Sequence, residues 1–125
     1  MITAPRFVSL FCTDQDKAVD FWSKKVGFDV QLDVPYEEGS SVRWIEVRPP
    51  KGDTYIVLSL PQEGQESLIG TFSNVWFQCD DLDATYEDLK SKGVNFLVPP
   101  SVADWDPNQR WAQFTDPDGN MYGPS

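Results

Sequence analysis

Histidine is absent from this chain of 125 residues, and cysteine occurs only twice. The first absence removes the side chain most often used as a base near neutral pH, and the commonest nitrogen ligand of transition metals. A histidine-based nucleophilic triad is impossible. The cysteines, Cys12 and Cys79, have no CxxC spacing and are too few to staple a fold of this length. They read as reduced thiols buried in the core. Basic residues are scarce as well: 10 Lys and Arg face 20 Asp and Glu, for a formal charge of −10. Such a surface repels phosphate backbones and anionic headgroups, so neither nucleic acid nor a membrane is an expected partner. No apolar run approaches bilayer-spanning length, and the N-terminus lacks the charged-then-apolar order of a secretory signal. A cytoplasmic protein is expected. No glycine-rich phosphate loop is present.

What is there is a repeat. Arg43-Trp44-Ile45-Glu46-Val47 runs through Pro50 and Gly52 to Tyr55, and Arg110-Trp111-Ala112-Gln113-Phe114 runs through Pro117 and Gly119 to Tyr122. The same offset aligns Val8 with Val75, Cys12 with Cys79, Asp14 with Asp81, Asp16 with Asp83 and Lys25 with Lys92. Identities at one fixed offset, without a net gap, mark two copies of one module. Each copy alone is a marginal size for an independent core, so 1–125 is expected to form a single domain. Its parts are a first module over about 5–61, a linker over 62–71 and a second module over about 72–125.

Hydrophobic periodicity orders the elements. Phe7 to Cys12 alternates as a strand, with Val8, Leu10 and Cys12 on one face and Phe7, Ser9 and Phe11 on the other. Asp14 then caps a helix carrying Ala18, Val19, Phe21, Trp22 and Val26 at helical spacing, closed by Gly27. Strands follow at Phe28 to Val34, Ser41 to Arg48 and Thr54 to Leu60, the last pair joined by a turn at Pro49-Pro50-Lys51-Gly52. The second module repeats this order. Asn74 to Cys79 is a strand, Asp80 or Asp81 caps a helix with the stripe Leu82, Thr85, Tyr86 and Leu89, and Gly93 ends it. Asn95 to Val98 reads as a short strand stopped by Pro99-Pro100. A loop over 100–109 leads to a strand at Arg110 to Thr115, and the turn Asp116-Pro117-Asp118-Gly119-Asn120 leads to a short last strand. Asp116 and Asp118 lack the spacing and terminal Glu of a calcium loop, so a turn is the better reading.

This pattern resembles the vicinal oxygen chelate superfamily of glyoxalases, bleomycin resistance proteins and extradiol dioxygenases. The match is carried by Phe7 to Asp14 before an Ala-x-x-Phe-Trp helix ending Val26-Gly27-Phe28, by Asn74 to Leu82, and by the closing Phe114 to Asn120. The resemblance implies an α+β fold in which two tandem βαβββ modules form a curved mixed sheet around a pocket, with helices outside. It also implies a homodimer and, in the family's enzymes, a divalent metal held from the first and last strands of each module. Those positions fall here on Phe7, Asn74, Gly123 and Ile56, or on Val57 if one turn differs by a residue. None is a usual ligand. No metal site and no cofactor are therefore expected.

Strand parity directs Phe7, Ser9, Phe11, Asn74, Trp76 and Gln78 towards the pocket, and on the Arg-Trp strands Trp44, Glu46, Trp111 and Gln113. With Ile56 these make a wall of aromatics and a few polar groups, as small-molecule sites require. Glu46 is the one candidate catalytic residue, as a general base. It is equally a counterion for a cationic ligand or a rim carboxylate. Trp105 could be a lid or a dimer contact. The expected function is binding of a small aromatic or cationic molecule. The alternative is a metal-dependent lyase, isomerase or dioxygenase with atypical ligands, and a filled, degenerate pocket is a third possibility.

Overall fold

The computed structural model describes every residue from Met1 to Ser125. The chain divides into two compact units, Met1–Ile69 and Gly70–Ser125. The expected linker is therefore shared: its residues to Ile69 fold with the first unit, including a short 3-10 turn at Glu66–Leu68. No helix is long and apolar enough to cross a membrane.

The first unit contains β1 (Phe7–Phe11), α1 (Gln15–Asp20), β2 (Asp29–Pro35), β3 (Arg43–Arg48) and β4 (Tyr55–Ser59). The second contains β5 (Phe72–Phe77), α2 (Leu82–Ser91), β6 (Asn95–Ala103), β7 (Asp106–Thr115) and β8 (Met121–Pro124). The sheets have the same order, β1-β4-β3-β2 and β5-β8-β7-β6. In each, the first strand pairs parallel with the last, and the other pairs are antiparallel.

Period-two alternation builds the core of each unit. Ile45 and Val47 are fully buried while Trp44 and Glu46 between them are partly exposed, and Ala112 and Phe114 stand in the same relation to Trp111 and Gln113. The repeat identities explain how helix and sheet are tied. Asp14 and Asp81 cap α1 and α2 by accepting from the backbone N–H of Lys17 and Ala84. Within the same first turn, Asp16 pairs with Arg43 at 2.7 Å and Asp83 with Arg110 at 2.8 Å. The Arg110 guanidinium holds the Asp83 carboxyl below the usual carboxylate range.

Four sequence expectations need correction. The first helix is not uniform: after Asp20 it widens into a π-helical turn, Phe21–Lys25, with the Val26 N–H donating to Phe21 O at 3.0 Å. The widened turn accompanies burial of the adjacent Phe21 and Trp22 together. Second, the strand expected at Asn74 begins at Phe72. Third, 100–109 is not a loop. β6 runs through Pro99 and Pro100 to Ala103 and forms a hairpin with β7, pairing Ser101 with Trp111 and Ala103 with Asp106. The prolines are tolerated because β6 is an edge strand and the register slips between Val98 and Ser101. Fourth, Val47 pairs with Ile56 whereas Phe114 pairs with Tyr122, so the first unit's hairpin is one residue longer. Tyr55 and Tyr122, aligned in sequence, therefore occupy opposite faces. Tyr55 stacks on Phe7, and Tyr122 is fully buried against Phe114. The equivalent of Gly123 is Val57, and Ile56 lies on the helix side.

Two buried polar devices were not legible. The Gln15 amide donates to the carbonyls of Arg43 (2.7 Å) and Leu58 (2.9 Å) and accepts from the Arg43 N–H (3.1 Å). It clamps the ends of β3 and β4 to the start of α1. In the second unit, the buried Asp116 carboxylate accepts from the Tyr122 hydroxyl (2.7 Å), Asn120 Nδ2 (2.9 Å) and the backbone N–H groups of Asp118 and Asn120. Asn120 Oδ1 in turn accepts the Gly70 N–H at 2.7 Å. Burial raises the Asp116 carboxyl against the pull of these donors. Burial and the neighbouring Asp116 charge raise the Tyr122 phenol.

Two predictions follow from these groups. Gln15→Ala strands three backbone groups and should cost about 2 kcal/mol in urea denaturation; a loss below about 0.5 kcal/mol would show that water replaces the amide. For Asp116, the raised folded pKa means the folded chain holds that proton more tightly than the unfolded chain. Its stabilising contribution is thus complete below the unfolded value and disappears as pH rises through the folded one. Tyr122→Phe removes a donor that favours the charged form, so this loss should move to higher pH. Urea midpoints measured from about pH 3 to about pH 8 test it, spanning the carboxylate range; an unmoved curve contradicts the assignment.

Candidate functional site

Each sheet has one face under its helix and one face away from it, and the second face carries the candidate residues. In the first unit Phe7 stacks on Tyr55 (centroids 5.4 Å apart) and meets Trp44 edge-on at 5.8 Å. Tyr36 lies 6.3 Å from Trp44. Glu46 is held within this group. Its Oε2 accepts the Trp44 indole N–H and its Oε1 accepts Gln31 Nε2, both at 2.7 Å. A carboxylate with a donor on each oxygen is a fixed acceptor that sets the angle of Trp44. Each oxygen keeps a second lone pair, but both donors favour the charged carboxylate and so weaken it as a base. Ser9 pairs with the buried Val57, and Phe11 pairs with Ser59 at the far end of β1. Ile56 is absent from this face for the register reason given above.

In the second unit the same face forms a cleft of about 300 Å³ lined by Trp76, Trp105, Gln109, Trp111 and Ser125. The Trp76 and Trp111 centroids are 5.8 Å apart with planes at 62°, and Trp105 lies 6.3 Å from Trp111 at 37°. Phe72 extends the row, 5.8 Å from Trp76. The cleft is open to water: Trp76 is 47% and Trp105 68% exposed. Exposed indoles held at fixed mutual angles present flat apolar area at little ordering cost, which suits capture of a planar ring.

Of the residues expected in the pocket, Trp76 and Trp111 line this cleft, while Asn74, Gln78 and Gln113 do not. Gln109 and Ser125 were not anticipated as lining residues, and Trp105, expected as a lid or a dimer contact, also lines the cleft. For Gln109 the signal lay in parity, since it shares a face with Trp111 once β7 is extended back to Asp106, whereas Trp105 sits in the turn between Ala103 and Asp106. Asn74 is the only residue other than glycine with a positive φ (62°), at the irregularity in β5 between Phe72 and Trp76. Asparagine is the residue that best tolerates this region.

The positions where the resemblance places metal ligands do not fit a metal. Phe7 and Val57 have no donor atom, Gly123 has no side chain, and Asn74 offers one weak amide oxygen. No group of three or more His, Cys, Asp or Glu side chains is placed to hold an ion. Cys79 is half-buried, and burial pushes its thiol up.

One consequence can be measured directly. Glu46→Ala leaves the Trp44 N–H without its acceptor and should cost about 1–2 kcal/mol with a red-shifted emission maximum. Glu46→Gln, retaining a carbonyl oxygen, should lose less; if both spectra match the parent, Glu46 does not fix Trp44.

The family model of the Glyoxalase/Bleomycin resistance protein/Dioxygenase superfamily matches residues 5–122. The protein YetH of Bacillus subtilis (strain 168) is 36% identical over 117 residues, covering 92% of this chain and 91% of YetH. A solved member of the superfamily from Sphaerobacter thermophilus DSM 20745 superposes with a TM-score of 0.86 at 30% identity, covering 98% of this chain and 96% of that one. TnmS3, an antibiotic binding protein from Streptomyces sp. CB03234, superposes with a TM-score of 0.85 at 34% identity, covering 99% and 95%.

Proposed function

The chain belongs to the Glyoxalase/Bleomycin resistance protein/Dioxygenase superfamily, and from that premise we propose that it binds a small planar aromatic molecule in the tryptophan cleft of its second unit. The observation that carries this reading is the array of Trp76, Trp105 and Trp111 on one sheet face around about 300 Å³ of open space. The similarity to TnmS3, which binds an antibiotic, supports it. A metal-dependent reaction finds no matching donor set at the family's positions, so the reading requires no cofactor and assigns no bond-making step to the chain.

Charge refines the ligand. Trp105 stands between exposed Asp104 and Asp106, and the chain carries −10 overall. A cationic ring entering at Trp105 gains from both carboxylates and from the faces of the indoles. An anionic ring of the same shape is repelled. Glu46 acts here as the group that orients Trp44 in the first unit.

Tryptophan emission tests the reading. Titration with proflavine, a planar cation, should quench the emission with a dissociation constant at or below about 10 µM. Trp111→Ala should weaken this at least about tenfold, the loss of roughly 1.4 kcal/mol of stacking. Anthraquinone-2-sulfonate should bind more weakly than proflavine. Absence of quenching by either compound, or equal binding by Trp111→Ala, sinks the proposal.

A further inference from the structure

We propose that Gly123 is a specificity-determining position: its missing side chain is a socket that lays the Trp76 indole flat on β8 and so fixes the floor of the cleft. This deepens the proposed function and rests on it for the ligand, while the positioning itself is independent of any ligand.

The geometry is specific. Trp76 and Gly123 are direct partners in the parallel β5–β8 pair, so they share a face. A Cβ built on Gly123 would collide with the six-membered ring of the Trp76 indole. Gly123 does not have a positive φ, unlike Gly27, Gly93 or Gly119. The backbone there would accept any residue, so what demands glycine is the indole lying on it. The irregularity in β5 aims the ring. The register slips between Phe72 and Trp76, Asn74 takes φ 62°, and Ser73 braces the bend by donating to Met121 O (2.7 Å) and accepting from the Val75 N–H (3.2 Å).

The first unit supplies an internal control. The equivalent pair is Ser9 and Val57, a small residue over a branched one, and no indole lies there. An indole thus lies on the last strand only in the unit where that strand offers glycine. The resemblance places a metal-ligating side chain at this same position. Any such side chain would have to displace the indole. Aromatic floor and metal ligand are therefore mutually exclusive at residue 123, and this chain has taken the floor. With Trp76 flat, and Trp111 rising from it at 62°, the cleft is an angled slot that selects ligands with one flat ring face and a free edge.

The test uses the full chain and the variants Gly123→Ala, Trp76→Ala and the double variant, with far-ultraviolet circular dichroism confirming the fold. An indole held in one orientation gives near-ultraviolet bands, and Trp76 packs 5.8 Å from Trp111. Gly123→Ala should reduce those bands to the Trp76→Ala level and lower the melting midpoint by about 5 °C, because the added methyl overpacks the site. In the Trp76→Ala background the same change should shift the midpoint by less than about 1 °C, since the clash has gone. Proflavine affinity should fall at least about tenfold in Gly123→Ala. Parent-like bands in Gly123→Ala, an undiminished midpoint shift in the double variant, or unchanged proflavine affinity in a parent that binds it each overturn the inference. If the parent itself binds no proflavine, the proposed function fails, and the bands and midpoints still decide whether the socket positions Trp76.

Discussion

Alternation along β3 and β7 is the constraint on which the rest depends. Burial of Ile45 and Val47 beneath one helix, and of Ala112 and Phe114 beneath the other, removes large apolar side chains from water. Because successive residues of a strand point to opposite faces, that burial leaves Trp44 with Glu46, and Trp111 with Gln113, no place but the other side. A slip of one residue would exchange the sets and drive a carboxylate into the core. The Arg43–Asp16 and Arg110–Asp83 pairs, made by residues identical between the copies, pin the same register at the point where each helix begins. Being exposed, they specify geometry more than they add stability.

Much of this was legible because it is periodic. The offset between the copies, the capping Asp14 and Asp81, the glycines that end both helices and the outward face of the Arg-Trp strands all follow from spacing and side-chain chemistry. What escaped was whatever breaks period. Pro99 and Pro100 suggested an end to β6, yet an edge strand with slipped register needs no N–H at either proline. One extra residue in the first hairpin, invisible in an ungapped alignment, moved Ile56 to the helix side and made the Tyr55 and Tyr122 identity misleading. Gln15 and Asp116 escaped for another reason. Each satisfies backbone groups distant in sequence or buried in a turn, and nothing in local composition distinguishes them from ordinary polar residues.

The two copies have also spent their shared geometry differently. In the first unit the outward face is tied together: Glu46 holds Trp44, Gln31 holds Glu46, and Phe7 stacks on Tyr55 and meets Trp44 edge-on. In the second, Gln113 stands where Glu46 stands, and no hydrogen bond draws Trp111 back to the sheet through its neighbour. The indoles there meet one another at angles and leave space between them. Each copy builds its own helix-side core, so the outward faces of the two can differ without disturbing either core.

Metal sites and aromatic clefts place different demands on the same sheet face. A metal site needs several donors converging on one point, and a single replacement by Phe, Val or Gly removes a corner of it. An aromatic cleft needs only flat area, a few fixed angles and water on one side. Replacements that destroy the first can serve the second. Gly123 is the clearest case. As a ligand position it is empty of chemistry, but as a surface it is the one place on β8 where a ring can lie down, and β5 bends at Asn74 to put one there. The same atom that disqualifies the site for a cation, by being absent, is what gives Trp76 its seat.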